Sequence, residues 1–252
     1  MPEQVLVAVA HGSTDPRAAA TIGDLMTVAA ERAAKRAREQ GLIPPGLRAA
    51  YLSHAAPSLP QVLGSIEPGT EVTVLPLLLT AAYHSKTEIP RVLASSQVRL
   101  LRVSCGAPLG PHPLLLRALE RRMPSVAFEN AAETGVVLAA AGSSDPEANG
   151  TITRLAARWQ ARTGWFAVRP AYASAGDPTP AAAVAGLLRA GASRVVVASY
   201  LLAPGLFADR IRDASLAAGA DAVSSALGAA PEIADVVLDR YTEAGTRERA
   251  AA

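Results

Sequence analysis

The chain repeats itself, and that constrains its fold more than any composition figure. Residues 5–16 read VLVAVAHGSTDP and residues 135–146 read GVVLAAAGSSDP. RAAYLSHAAPSLPQVL at 48–63 is echoed by RPAYASAGDPTPAAAV at 169–184. VTVLPLLLTAAYHSK at 72–86 is echoed by VVVASYLLAPGLFAD at 195–209. Three matches in the same order at nearly constant spacing identify a tandem duplication. Whatever one half folds into, the other half must fold into as well. The polar stretch 123–134, MPSVAFENAAET, is the natural joint, which predicts one domain over 1–124 and a second over 132–252.

Within each half, strand-length apolar runs alternate with helical segments. QVLVAVA at 4–10 is continuously apolar after its first residue, the pattern of a strand buried on both faces of a parallel sheet. A helix should follow from Pro16 to Gln40, with Asp15 as N-cap, Pro16 at its first position and Gly41 as its stop. Further strands are predicted at 47–52, 71–79 and 98–104, with helices near 58–66, 87–96 and 112–122. The second half predicts strands near 135–140, 167–172, 194–202 and 221–226. The chain holds only three Phe and two Trp, so its cores must be built from Ala, Val, Leu and Ile. Strand–helix alternation with such a core implies an α/β fold. Each half should be a four-stranded, mainly parallel sheet flanked by helices.

Charge and cysteine content exclude several functions. A net charge of +2 is far too small for a nucleic-acid footprint. Cys105 is the single cysteine, so no intrachain disulfide can form and a reducing, cytoplasmic setting is expected. No apolar run approaches the ~20 residues of a membrane span. The glycines form neither a dinucleotide-binding nor a P-loop pattern, and no nucleophile elbow surrounds Ser13 or Ser53.

All four histidines, His11, His54, His84 and His112, fall in the first half, each just past a predicted strand end. In an open parallel sheet those loops gather at the carboxyl edge, where such folds bind ligands. With strand order 2-1-3-4, His11 and His84 would face each other across the switch point between the first and third strands. Their counterparts in the second half are Ala141 and Phe207, and the counterpart of His54 is Ala175. Gly12, Ser13, Asp15 and Pro16 keep theirs as Gly142, Ser143, Asp145 and Pro146. The turn is therefore a requirement of the fold, whereas the imidazoles belong to one site in one copy. Glu88, four residues past His84, should lie in the first turn of a helix starting near Thr87. There it could orient the ring, take a proton or simply favour the helix dipole. His54 and His112 are rim or loop residues.

AHGSTDP, AYLSHAAPSLPQ and LPLLLTAAYHSKTEIP, in this order and spacing, resemble the class II tetrapyrrole chelatases. The sequence is most similar to the sirohydrochlorin cobaltochelatase and ferrochelatase family in its long, two-domain form. The resemblance implies that His11 and His84 hold a divalent metal, with Glu88 as the acidic residue following the third motif. It implies that Co2+ or Fe2+, with Ni2+ a third candidate, is inserted as a substrate into sirohydrochlorin, without an organic cofactor. The family often carries a carboxylate where this chain has Ser53, which leaves His54 as a substitute. Sirohydrochlorin is a polycarboxylate, so Arg17, Lys86 and Arg91 are expected to dock it, with Ser13 and His54 alongside. Monomer and homodimer both remain open. A phosphohistidine enzyme would usually carry Arg before the histidine, where this chain has Ala10. A metal or tetrapyrrole carrier would use the same pocket without turnover.

Overall fold

The computed structural model describes residues 4–80, 87–94 and 100–251. Strand β1 (Gln4–Ala10) is buried along its whole length after Gln4, because Val5 to Ala10 have apolar neighbours on both faces. Helix α1 (Pro16–Gln40) begins where the Asp15 carboxylate accepts the Arg17 N–H and Pro16 presets the first helical φ. It ends where Gly41 turns into the left-handed region at φ 65°. Ile22, Leu25, Ala29, Ala33 and Ala37 recur every three or four residues and form its buried stripe. β2 (Gly46–Tyr51), β3 (Glu71–Pro76) and β4 (Arg102–Cys105) complete a parallel sheet in the order β2-β1-β3-β4. α2 (Leu59–Gly64) and α3 (Ile89–Leu93) connect them, and α4 (Pro113–Arg122) follows.

The second half repeats the plan. β5 (Thr134–Ala140), β6 (Ala167–Tyr172), β7 (Arg194–Tyr200) and β8 (Ala222–Val223) form a second parallel sheet, ordered β6-β5-β7-β8. Its helices are α6 (Pro146–Arg162), α7 (Pro180–Arg189) and α8 (Leu206–Ala217). Asp145 and Pro146 start α6 as Asp15 and Pro16 start α1. The expected fold class, strand order and parallel pairing are all observed.

Several boundaries differ from expectation for identifiable reasons. β3 stops at Pro76 rather than continuing to 79, since proline removes a ladder donor. β8 is only two residues long because Ser224 takes over: its hydroxyl accepts the Ser199 N–H, and its carbonyl accepts the Ser199 hydroxyl. The joint is itself structured. It folds into α5 (Val126–Glu129) and a 3-10 turn at Ala131–Glu133. Trp165 Nε1 donates to the Ala127 carbonyl at 3.2 Å, and Arg194 donates to the Val126 carbonyl at 3.0 Å.

The packing boundary also departs from the repeat boundary. One compact unit comprises residues 1–114 with 229–252, the other residues 115–228. The expected domains 1–124 and 132–252 therefore describe the duplicated sequence, and each gives up its last helix in space. Most of α4 belongs to the second unit, where Glu120 accepts from Trp159 Nε1 and Arg122 donates to the Leu227 carbonyl. The final helix, α9 (Pro231–Ala251), covers the first sheet. There Asp235 takes both Arg32 and Arg36 of α1, Asp239 takes Arg36, and Tyr241 donates to Gln4. Among the described residues no helix is long and apolar enough to cross a membrane.

Ile233, Val236, Val237 and Leu238 of α9 are buried. At about 1.5–3 kcal/mol per buried side chain, their loss would approach the whole ~5–15 kcal/mol margin of a typical protein. A chain ending at Gly228 is therefore expected to lose the cooperative thermal transition of the first unit. Circular dichroism melting would reveal this as a missing or strongly lowered step.

Candidate active site

The carboxyl edge of the first sheet is organised by a single tight approach. Beyond the end of β1 the parallel ladder continues for two more rungs. The Leu52 N–H donates to the Ala10 carbonyl, and the Ser53 N–H to the His11 carbonyl, both at 3.0 Å. The Ser53 hydroxyl donates to the same His11 carbonyl at 3.2 Å. Gly12 then turns at φ +91° so close to the second loop that a Cβ would stand 1.7 Å from the Ser53 carbonyl oxygen. Only glycine fits, both for its backbone angle and for the space. Next, Ser13 Oγ accepts the Asp15 N–H at 3.0 Å, and Asp15 caps α1.

The second half reproduces every one of these contacts. Gly142 turns at φ +84°, and a Cβ on it would lie 1.8 Å from the Ser174 carbonyl oxygen. The Ser174 N–H and hydroxyl both donate to the Ala141 carbonyl at 2.9 Å. Ser143 Oγ accepts the Asp145 N–H at 3.0 Å. Ser13 and Ser53 therefore do work that the fold requires in both copies.

On this shared frame the first half mounts imidazoles. His11 and His54 are both exposed, and their ring centroids lie 6.5 Å apart with the planes at 68°. His54 occupies the left-handed region at φ 58°, and Ala175 does the same at φ 40°. A non-glycine residue there costs about 1–2 kcal/mol, so the loop imposes this conformation whatever side chain it carries. Arg17 lies on the same edge, its guanidinium against the Asp15 carboxylate at 2.6 Å. Through that side-chain hydrogen bond Arg17 holds the Asp15 carboxyl below the usual carboxylate range.

Glu88 and Arg91 stand at the start and in the last turn of the short α3, which follows β3. Thr87 and Glu88 form a π-helical turn that runs into α3 at Ile89, in keeping with the helical start expected near Thr87, and the Glu88 side chain does not cap the α-helix. His84 and Lys86 lie outside the described residues. His112 serves the scaffold: its Nδ1 accepts the Leu114 N–H at 3.3 Å, and its Nε2 lies 3.8 Å from Asp239. Burial, then the nearby Arg240 charge, push its pKa down against the pull of Asp239 and Glu243. Among the described residues no three of His, Cys, Asp and Glu cluster as a metal site would require.

The proximity of His54 to His11 was missed by sequence reasoning, which placed His54 on the rim and, through the family resemblance, as a substitute for a carboxylate at Ser53. The signal was present. The order 2-1-3-4 makes the second strand as much a neighbour of the first as the third is, so the loops after both flank His11.

The CbiX family model matches residues 5–126 and again 135–244. This chain belongs to the CbiX family. Among curated relatives, it is 28% identical over 149 residues to a sirohydrochlorin cobaltochelatase of Priestia megaterium, a match covering 57% of this chain. That alignment spans 48% of the relative, about half its length. It is 29% identical over 182 residues to a sirohydrochlorin ferrochelatase of Bacillus subtilis, covering 69% of each. In structure it resembles SirB from Bacillus subtilis with Fe3+, at a TM-score of 0.79 and 24% identity over 98% of this chain and 97% of that one. The two family matches coincide with the two sequence repeats, so both halves descend from the same kind of domain.

Two outcomes follow from this geometry. Gly12→Ala and Gly142→Ala should each destabilise the protein by several kcal/mol, beyond the ~1 kcal/mol of a typical substitution, because backbone must move. Chemical denaturation of each variant measures it. His112 gives a pH effect. Its folded pKa is lowered, so on acidification the unfolded chain takes up the proton first, near the ordinary imidazole value of about 6.5. Stability is then full above that pH and declines below it. His112→Asn can still accept the Leu114 N–H but cannot titrate, so its denaturation midpoint should fall less than wild type between about pH 7 and 5.

Proposed function

We propose that this protein is a lyase-type chelatase that inserts a divalent metal, Co2+ or Fe2+, into sirohydrochlorin. The observation that carries this reading is the asymmetry between two copies of one turn. Both keep the glycine approach, the serine bonds and the aspartate cap, whereas only the first carries imidazoles at the strand edge. The curated relatives, named as sirohydrochlorin cobaltochelatase and ferrochelatase, support the substrate class.

The chemistry suits the residues. Metal insertion requires two pyrrole N–H protons to leave while the ion passes from protein donors to ring nitrogens. Neutral imidazole is a good donor for borderline divalent ions and also a competent proton acceptor near neutral pH. His11 and His84 are the metal donors in this reading, and Glu88 takes part in proton transfer. An incomplete set of protein ligands, unlike a closed four-ligand cage, leaves the ion free to be surrendered. Arg17, Lys86 and Arg91 dock the substrate carboxylates, with Ser13 and His54 beside them. The metal is a substrate here, and no organic cofactor takes part.

The test is absorbance-followed metal insertion into sirohydrochlorin, run separately with Co2+, Fe2+ and Ni2+. Turnover with at least one ion is expected, and stoichiometric binding without turnover would make the protein a carrier. His11→Ala and His84→Ala should each reduce the rate at least ~100-fold, as losing an acid–base or donor group does, with an unchanged circular dichroism spectrum. Lys86→Ala should raise KM more than it lowers kcat, because a docking contact contributes uniform binding. Residues 130–252 contain neither His nor Cys, so one Co2+ per chain is expected in a titration of the metal-free protein.

A further inference from the structure

We infer that His54 is a metal donor acting together with His11, so that the loops after β1 and β2 present a two-imidazole site for the incoming ion. The inference rests on the chelatase reading and deepens it: His54 moves from the substrate rim to the metal itself.

Geometry carries the argument. With a metal–imidazole bond of about 2.0–2.1 Å, two rings sharing one tetrahedral ion have centroids about 5 Å apart. The His11–His54 separation of 6.5 Å is longer than this by about 1.5 Å, so the two exposed rings must turn toward each other about their side-chain torsions to share an ion. Both rings are exposed, so an ion can approach them from solvent. Their relative position is fixed by backbone. Three hydrogen bonds from Leu52 and Ser53 tie the second loop to the Ala10 and His11 carbonyls, and Gly12 permits the close approach. Preorganised donors lose little entropy on binding, which raises the affinity obtainable from only two of them.

The second copy provides the control. Ala175 takes the same left-handed conformation within the same set of loop contacts. The loop therefore folds without an imidazole at this position, and packing supplies no reason for one. Where Ala141 replaces His11, Ala175 also replaces His54. The two imidazoles are present together in one copy and absent together in the other, the pattern of a functional pair.

The test is Co2+ titration of the full-length, metal-free protein, read by visible absorption and by counting hyperfine-shifted ring N–H resonances in the NMR spectrum. The variants are His54→Ala, His54→Asn and His11→Ala. Alanine should fold, since Ala175 does so in the equivalent position, and asparagine tolerates the left-handed region should alanine fail. Removing one donor should weaken Co2+ binding by at least ~10–100-fold, the cost of losing even an outer partner of a metal ligand. One shifted N–H resonance should disappear with it, a change that a merely structural role would not produce. If His11→Ala abolishes binding while both His54 variants keep wild-type affinity and resonance count, the His54 assignment is overturned and the chelatase reading stands. If His11→Ala binds Co2+ as wild type does, the site itself is misplaced and both fall.

Discussion

The contact on which the rest of this site depends is the approach of Gly12 to the Ser53 carbonyl. Parallel strands pair through slanted, evenly spaced hydrogen bonds, and ordinarily that pairing stops where the chains diverge into loops. Here it continues for two rungs beyond β1 because residue 12 has no Cβ to collide with the neighbouring loop. Two consequences follow. The chain can turn directly into α1, whose first N–H groups are satisfied by Asp15 and whose start is set by Pro16. The residues flanking the glycine approach, 11 and 54, are held side by side on the open face. A strand-edge site built this way owes its precision to backbone hydrogen bonds rather than to side-chain packing, which is why it can stay open to solvent without becoming loose.

Duplication of such a unit leaves each copy with a complete sheet, yet the two units do not close on themselves in sequence. The last helix of the chain covers the first sheet through a buried apolar face and an ion-pair network. Arg32 and Arg36 of α1 grip Asp235 and Asp239. Burial opposes ionisation of Asp235, but the two arginines outweigh it and hold its carboxyl below the usual range. The Arg32 guanidinium is correspondingly held in its charged form by the Asp235 hydrogen bond. Each compact unit thus takes its last helix from the other repeat.

Much of this was legible in the sequence. α1 is readable to its termini because Asp15, Pro16 and Gly41 act locally, each through its own backbone geometry. The parallel pairing followed from the alternation of strands and helices, the common order 2-1-3-4 taken as a premise is the one observed, and the repeat exposed which turn residues serve the fold. The exchange of terminal helices was not legible. Hydrophobic periodicity states which face of a helix is apolar but not which sheet that face will cover. The order of the joint at 123–134 was not legible for a related reason: it comes from Trp165 and Arg194, distant in sequence. At the site, the link between His11 and His54 depends on a loop held left-handed by tertiary contacts, and no local propensity of histidine encodes that.

The second copy gives the most direct evidence on which residues the fold itself requires. A residue kept in both halves answers to the fold; one kept in a single half answers to something the fold does not demand. By that criterion Ser13, Asp15 and Gly12 are structural, and their repeat partners make the same bonds at the same distances. Arg17 is replaced by Glu147, which still donates its backbone N–H to the capping aspartate but reverses the side-chain charge. That reversal leaves a cation paired with the capping carboxylate in the first half and a second carboxylate beside it in the other. The imidazoles and the cation therefore change together across the repeat. Imidazole and cation thus stand together in one half, and the turn that both halves share requires neither of them.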